Sequence, residues 1–189
     1  IQQHVGEIES LNARYEHLAS HDFLTNLPNR RSFNIRLNQE LEKGEPGAVL
    51  LLDIDNFKII NDTLGHAYGD LVLTEIANKL IKIIKENLLI SRFGGDEFLV
   101  LVTNEKSAAK IEAIARYILK EFQEPLCINE EEIFINFSIG ITRFPYDGTT
   151  VNQLITNADT AMYKVKNCGK NSYRFYSNEM QLELIEKTE

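Results

Sequence analysis

The chain has 189 residues and a formal net charge of −8, and 43% of its residues are hydrophobic. The length predicts one globular domain with short extensions, and the apolar fraction is ordinary for a packed core. The acidic balance argues against a nucleic-acid partner, which needs a basic face, and no apolar stretch approaches the roughly 20 residues of a membrane span. Cys127 and Cys168 lie far apart without metal-ligand spacing, which favours a reduced, cytoplasmic setting.

The first 20 residues predict an N-terminal connector helix. Apolar side chains recur at alternating spacings of three and four residues, as at Ile8, Leu11, Tyr15 and Leu18, which is typical of a helix with one apolar stripe. Two interpretations stay open: the helix packs on its own domain, or it connects the domain to an upstream module. Because the chain begins with Ile1 rather than Met, we expect a segment of a longer protein.

Residues 21–176 alternate between helical and strand-like patterns. A capped turn over 21–28 precedes a predicted helix over about 29–43, and the apolar run 48–52 predicts a central strand buried on both faces. The later predicted elements are a polar turn, a helix over about 68–85, hairpin strands at about 88–93 and 97–103, a helix over 106–123, a second hairpin within 125–144 with the return strand 133–141, a helix over about 151–167 and an edge strand at 173–176. This order predicts an α+β fold with a mostly antiparallel central sheet and a βαββαβ core flanked by helices.

The most informative feature is the Gly94–Gly95 pair, which is followed at once by Asp96 and Glu97. Two glycines between strand-like runs predict a tight hairpin, because such turns need positive φ. Glycine also leaves no side chain above the turn, so a phosphate can approach the backbone. Neighbouring strand residues point to opposite faces, so one carboxylate can face a ligand while the other faces the support beneath it.

Two other polar groups each have a functional and a structural interpretation. Asp53 and Asp55 follow the buried strand, where carboxylates are costly unless they are paired or bind a metal, or they cap the turn. Asn61 and Asp70 fall in a predicted loop and at a predicted helix start. They have the hydrogen-bonding groups to recognise guanine, or they serve as turn and N-cap residues.

A pair of lysines lies near the end of the last predicted helix. Lys166 and Lys170 are four residues apart, so they are adjacent if the helix continues that far. They either bind a triphosphate or form a solvated basic end that favours the helix C-terminus. Together with Lys58 and the carboxylates Asp53 and Asp96, they supply what Mg²⁺-assisted phosphoryl transfer requires.

The stretch Arg92–Phe98 resembles the signature of the GGDEF family, the diguanylate cyclases. Other motifs of the family occur in the same order, and the resemblance covers roughly residues 21–176. These motifs are His21-Asp22-x-Leu24-Thr25-x-Leu27-x-Asn29-Arg30, Asp53-x-Asp55-x-Phe57-Lys58-x-x-Asn61-Asp62-x-x-Gly65-His66-x-x-Gly69-Asp70, Ser138-Ile139-Gly140 and Ala158-Asp159-x-Ala161-Met162-Tyr163-x-x-Lys166-x-x-Gly169-Lys170-Asn171.

The resemblance implies a fold and a reaction. The fold is a nucleotide-cyclase-like palm, and two GTP molecules condense into cyclic di-GMP with release of two pyrophosphates. Each domain of a homodimer holds one GTP, and the 3′-hydroxyl of one attacks the α-phosphate of the other. The implied cofactor is Mg²⁺, with Mn²⁺ as an alternative, and the implied partners are an upstream sensor module and a following EAL-type domain.

The resemblance also implies roles for individual residues. The metal ligands would be Asp53, the carbonyl of Ile54, Asp96 and Glu97, and Asp96 would also help to deprotonate the attacking hydroxyl. Asn61 and Asp70 would recognise guanine. The phosphate-binding groups would be Lys58, Lys166, Lys170 and the backbone amides of Asn56 and Phe57.

Some positions depart from the family pattern. Lys170 stands where many members have Arg, so the charge stays but the two-pronged phosphate contact is lost. An inhibitory product site of the form Arg-x-x-Asp often precedes the signature, whereas this chain has Lys85-Glu86-Asn87-Leu88 there. We therefore expect no primary product-inhibition site.

Residues 177–189 resemble the joint to an EAL-type phosphodiesterase domain. A silent GTP-binding regulatory domain is therefore the main alternative function, and a purely scaffolding dimerisation module is another.

Overall fold

The computed structural model describes residues 11, 15–17, 19–83 and 87–180. Most of the predicted connector helix and most of the tail over 177–189 lie outside these ranges, as do Lys85 and Glu86 of the stretch where we expect no product-inhibition site. Predictions about those segments, including the division into a connector, a domain over 21–176 and a tail, therefore stay predictions. The described residues 15–17 and 19–20 are helical.

Helices and strands alternate much as the sequence pattern predicts. The helices whose bounds the structure gives are α1 (Arg30–Lys43), α2 (Phe57–Leu64), α3 (His66–Ile83), α4 (Ala108–Glu121) and α5 (Val151–Asn167). The strands are β1 (Gly47–Ile54), β2 (Leu88–Gly94), β3 (Glu97–Val102), β4 (Leu126–Ile128), β5 (Glu131–Ile133), β6 (Phe137–Phe144) and β7 (Ser172–Phe175). Within the described ranges, no helix is long and apolar enough to cross a membrane.

The strands that the structure describes form a five-stranded sheet in the order β2-β3-β1-β6-β7 and a separate two-stranded sheet of β4 and β5. All neighbours in the larger sheet are antiparallel except β6 and β7, which are parallel. At the centre of β1, Leu50 is opposite Val100 on one side and Ile141 on the other. The predicted α+β fold with a mostly antiparallel sheet is confirmed.

The central strand β1 is buried along its whole length, as its continuous apolar run predicts. Successive side chains point to opposite faces, so Leu50 and Leu52 pack in one core with α3 and α4. Val49 and Leu51 pack in the other core with α1 and α5. Asp53 lies on the same face of β1 as Val49 and Leu51, so its side chain points toward the face that α5 covers.

The prediction of a polar turn after β1 is wrong, because α2 occupies Phe57–Leu64. The segment is rich in Asn, Asp and Thr, which favour turns, and this composition hides the helix. Phe57 is buried and Ile60 packs against the core, and burial of this apolar side outweighs the weak local preference. Asn61 consequently lies on a helix rather than in a loop.

The prediction of one return strand over 133–141 is also wrong. Residues up to Ile133 pair with β4 in the small sheet, whereas β6 begins at Phe137 and pairs with β1 in the central sheet. The irregular residues between them carry the chain from one sheet to the other. Phe134 is exposed and Ile135 is buried, an alternation that fits either a strand or this crossing.

Candidate active site

Three acidic residues meet where β1 and β3 approach the hairpin turn. Asp53 is directly opposite Glu97 in the β1–β3 register, so their side chains are cross-strand neighbours. The backbone N–H of Ile54 donates to the carbonyl of Asp96 at 3.2 Å. The structure therefore brings together the four residues predicted as metal ligands: Asp53, Ile54, Asp96 and Glu97.

Lys166 forms an ion pair with Asp53, with 2.8 Å between Nζ and Oδ1. The helix α5 reaches this position because it packs directly on β6, where a Cβ on Gly140 would lie 1.9 Å from the carbonyl oxygen of Ala158. The Asp53 side chain is only 7% exposed. Among the described residues, its Oδ1 has no partner that meets the angles of a hydrogen bond.

The electrostatics of this cluster are unbalanced toward negative charge. Burial raises the pKa of Asp53 to about 6; the Lys166 ammonium opposes this rise, and the nearby Asp96 carboxylate adds to it. Burial likewise raises the pKa of Glu97, and the charges of Asp53 and Asp159 add to the effect. Burial lowers the pKa of Lys166, but its contact with Asp53 more than compensates and the pKa is raised overall. Such a site favours binding of a cation.

The donor atoms fit a hard divalent cation. Asp53, Asp96, Glu97 and the Ile54 carbonyl offer oxygen atoms, and Asp53 Oδ1 is a buried oxygen without a hydrogen bond among the described residues. In the part of the chain that the structure describes, no three acidic, His or Cys side chains are placed to hold a metal by themselves. Mg²⁺ is usually bound by one or two carboxylates together with substrate phosphates, so this arrangement suits a metal that arrives with a nucleotide.

The Gly94–Gly95 turn is a tight hairpin turn, as predicted. The φ angles are 151° at Gly94 and 53° at Gly95, and an L-residue is strained in this region. A Cβ added at either glycine would meet nothing within 4 Å. The backbone next to Asp96 is therefore open to an approaching ligand.

Arg92 anchors this turn in a way that the sequence analysis missed. Its guanidinium donates to both carboxylate oxygens of Asp22 at 3.1 Å and to the carbonyl of Gly95 at 2.9 and 3.2 Å. Asp22 in turn accepts from the Thr25 N–H and hydroxyl at 2.8 and 2.7 Å. Arg92 and Asp22 both belong to the motifs quoted above, but no local pattern links positions that are 70 residues apart.

Asp55 supports the site from a different set of contacts. Its two carboxylate oxygens accept from the Ser138 hydroxyl at 2.6 Å and from the Asn171 N–H at 2.9 Å. The backbone N–H of Asp55 donates to the carbonyl of Asn136 at 2.9 Å. Asp55 thus connects the β1 end to β6 and to the segment after α5.

Lys166 and Lys170 are not adjacent on a helix, because the helix does not continue as far as residue 170. The helix α5 ends at Asn167, and Lys170 has a left-handed φ of 63° after Gly169 at 112°, because the chain turns away there. Both lysines nevertheless reach the end of β1 or the residues just after it: Lys166 contacts Asp53 within β1, and Lys170 Nζ donates to Asn56 Oδ1 at 2.6 Å. Asn56 precedes the N-terminus of α2, where the first backbone N–H groups lack helical partners.

Asn61 and Asp70 lie on consecutive helices, α2 and α3. A Cβ on Gly69 would lie 1.9 Å from Asn61 Oδ1, so this glycine is required for the close approach of the Asn61 side chain. Asp70 follows Gly69 immediately and is exposed. Because α3 begins at His66, Asp70 lies inside the helix, and the N-cap interpretation of Asp70 is wrong.

The fold is that of a cyclase-like domain, and comparisons with known proteins identify its family. The family model described as "Diguanylate cyclase, GGDEF domain" matches residues 19–172. The chain therefore belongs to the GGDEF family, whose diguanylate cyclase relatives support an enzyme of the cyclase type.

Individual relatives come from Pseudomonas aeruginosa. The chain is 40% identical to the diguanylate cyclase TpbB over 172 residues, which are 88% of this chain and 40% of that protein. The solved GGDEF domain of TpbB aligns with a TM-score of 0.82 and 39% identity, and the alignment covers 87% of this chain and 98% of that structure.

Two further relatives are longer proteins with other names. MucR, a bifunctional diguanylate cyclase/cyclic di-GMP phosphodiesterase, is 40% identical over 86% of this chain and 24% of its own length. NbdA, a cyclic di-GMP phosphodiesterase, is 31% identical over 93% of this chain and 23% of its own length. The chain thus spans about a quarter of these two relatives.

Proposed function

We propose that this domain is a diguanylate cyclase, which condenses two GTP molecules into cyclic di-GMP and two pyrophosphates. The observation that carries the proposal is the acidic cluster of Asp53, Asp96 and Glu97 beside the open Gly94–Gly95 turn. A partly buried, charge-unbalanced set of oxygen donors next to bare backbone suits a divalent cation and the phosphates it carries. The family and its diguanylate cyclase relative TpbB support the same reaction.

The cofactor of this reaction is Mg²⁺, with Mn²⁺ as an alternative. Asp53, the Ile54 carbonyl, Asp96 and Glu97 would hold it, and it would neutralise charge on the phosphates and lower the pKa of the attacking hydroxyl. Asp96 accepts the proton of that 3′-hydroxyl. The new bond joins the 3′-oxygen to the α-phosphorus of the other GTP, and the bond to the β-phosphate breaks so that pyrophosphate leaves.

The remaining predicted residues bind and orient GTP. Lys58 and Lys170 bind phosphates, as do the N–H groups of Asn56 and Phe57 at the start of α2, where the helix dipole favours negative charge. Asn61 and Asp70 recognise guanine, since a carboxylate accepts from the N1–H and N2–H₂ donors that adenine lacks. The close contact of Asn61 with Gly69 supports a shared base site.

Turnover requires a homodimer, because each domain holds one GTP and the two nucleotides must face each other. Such positioning converts a bimolecular step into an effectively unimolecular one and supplies part of the rate. An upstream sensor module would then act by controlling how two domains meet. MucR and NbdA extend far beyond the matched segment, which supports additional domains in the full protein, including an EAL-type domain downstream.

The deciding experiment is incubation of the domain with GTP and Mg²⁺, followed by chromatographic separation of the nucleotides. We expect the cyclic dinucleotide. Formation of GDP alone would overturn the proposal in favour of a GTPase. Unchanged GTP from a protein that is dimeric and binds GTP would favour the regulatory function below.

A second candidate is a catalytically silent GTP-binding domain that regulates an attached phosphodiesterase. The phosphodiesterase name of NbdA favours it, whereas the retention of both Asp96 and Glu97 favours catalysis. GTP affinity in the micromolar range with Mg²⁺ would argue against a purely scaffolding role.

A further inference from the structure

The site already contains a cation of its own, the ammonium group of Lys166. Its Nζ lies 2.8 Å from Asp53 Oδ1, and the exposed fractions of the two side chains are 33% and 7%. Because this pair is partly shielded from water, solvent weakens its attraction less than that of a surface pair. Lys166 therefore neutralises the carboxylate that is also the first expected metal ligand.

A divalent ion and this ammonium group compete for the same carboxylate. Mg²⁺ binds oxygen at about 2.0–2.1 Å, so an ion on Asp53 would lie within a few ångströms of Lys166 Nζ. Like charges at such distances in a partly buried site repel strongly. Metal binding to Asp53 consequently requires that Lys166 move to another negatively charged partner.

We propose that Lys166 is an internal counter-cation, which occupies Asp53 until a metal–nucleotide complex enters and then transfers to the triphosphate. The inference rests on the proposed function and adds an order of events to it. The metal then binds most tightly together with the nucleotide, because the phosphates offer Lys166 a strongly charged partner beyond the nearby Asp159 carboxylate. Lys166 is then a positioning residue that couples metal binding to substrate binding.

Lys170 provides the matched comparison within the same site. It carries the same charge and lies near the same segment, but it donates to the neutral amide oxygen of Asn56 rather than to a carboxylate. If both lysines only bind phosphates, their removal should have the same effect on metal binding without nucleotide. If Lys166 is a counter-cation, only its removal should strengthen metal binding.

The test measures Mn²⁺ binding to the nucleotide-free protein by calorimetry and by electron paramagnetic resonance of free Mn²⁺. We expect Lys166→Gln to bind Mn²⁺ about tenfold more tightly than the wild type, or more. Lys170→Gln and the charge-conserving Lys166→Arg should stay within about threefold of the wild type, because both variants keep a positive charge paired with Asp53. Both Gln variants should bind the GTP–Mn²⁺ complex more weakly than the wild type.

Several outcomes would overturn the proposal. Unchanged or weaker Mn²⁺ binding by Lys166→Gln refutes the counter-cation role, and it leaves the cyclase function intact if the wild type still makes the dinucleotide. Absence of both Mn²⁺ binding and GTP turnover in the wild type refutes the function and the inference together. If Lys166→Gln does not fold without metal, Mn²⁺ should restore its folding and circular dichroism spectrum, and failure of this rescue also refutes the role.

Discussion

Two carboxylates at the end of β1 lie two residues apart in differently built surroundings. Asp55 is buried and accepts hydrogen bonds from Ser138 and Asn171. Asp53 is equally buried, but among the described residues its Oδ1 has an ion pair with Lys166 and no hydrogen bond. Burial raises the pKa of Asp53 to about 6.

These different surroundings suit different roles: Asp55 stabilises the fold, whereas Asp53 is available to bind a ligand. A buried carboxylate whose hydrogen bonds are made holds parts of the fold together. A buried carboxylate whose oxygen has an ion pair but no hydrogen bond among the described residues keeps that oxygen available for a ligand. We therefore expect substitutions around Asp53 to change activity, and substitutions around Asp55 to change the free energy of unfolding.

The largest expected effect comes from a substitution in the acidic cluster that contains Asp53. Asp96→Asn removes a metal-binding charge at a turn rather than core volume, so synthesis of cyclic di-GMP should fall by about a thousandfold or more. The free energy of unfolding should change by no more than about 0.5 kcal/mol. Initial rates and urea unfolding measure the two effects, with exposed Glu42→Gln as the control. Turnover near that of the wild type would show that Asp96 does not bind the metal.

On the Asp55 side, Asp55→Ala should lower the free energy of unfolding by about 2–4 kcal/mol, since the buried Ser138 hydroxyl and the partly buried Asn171 N–H both lose their acceptor. Urea unfolding in the presence of a chelator measures this loss. Asp53→Asn is the matched control, and it should not lower the unfolding midpoint at pH 7.5. If the two variants were equally destabilised, the contrast between the two carboxylates would be wrong.

A substitution at Asp70 tests whether the candidate site also recognises the guanine base. Asp70→Ala should weaken GTP binding by roughly 1–3 kcal/mol, the cost of leaving guanine donors unmatched. Isothermal titration with GTP and with ATP in parallel measures the effect. ATP binding should hardly change, and an equal loss for both nucleotides would contradict guanine recognition.

The smallest expected effect is a pH dependence of stability. The pKa of Asp53 is raised in the folded state from 3.8 to about 6, so its protonated form stabilises the fold fully below pH 3.8. That contribution is lost as the pH rises through 6. In a chelator, the melting temperature of Asp53→Asn minus that of the wild type should therefore increase between pH 5 and 7. A constant difference would show that Asp53 titrates normally.

The features that could be predicted from the sequence are those with a strong local signal. The unbroken apolar run of β1, the Gly94–Gly95 turn and the periodic last helix, Val151–Asn167, all appear as predicted. The helix α2 could not be predicted, because its polar composition favours a turn and burial of Phe57 decides otherwise. The division of 133–141 between two sheets is likewise set by tertiary pairing rather than by local pattern.

The candidate site likewise has a part that could be predicted from the sequence and a part that could not. The sequence predicts Asp53 and Asp96 as candidate ligands because residue type and strand ends are visible in it, and the family resemblance adds Glu97. It does not show that Lys166 contacts Asp53 or that Asp55 contacts Asn171, which is 116 residues away. Such contacts depend on how α5 lies on β6, and no periodicity records that placement.

The guanidinium of Arg92 has a mechanical consequence. One side chain binds the Asp22 carboxylate, at the entrance of the domain, and the Gly95 carbonyl, directly before Asp96. Any force that displaces the entering turn is thus transmitted to the hairpin backbone without passing through the hydrophobic cores. A change in the position of Asp22 would therefore reach the backbone directly before Asp96 through a single side chain.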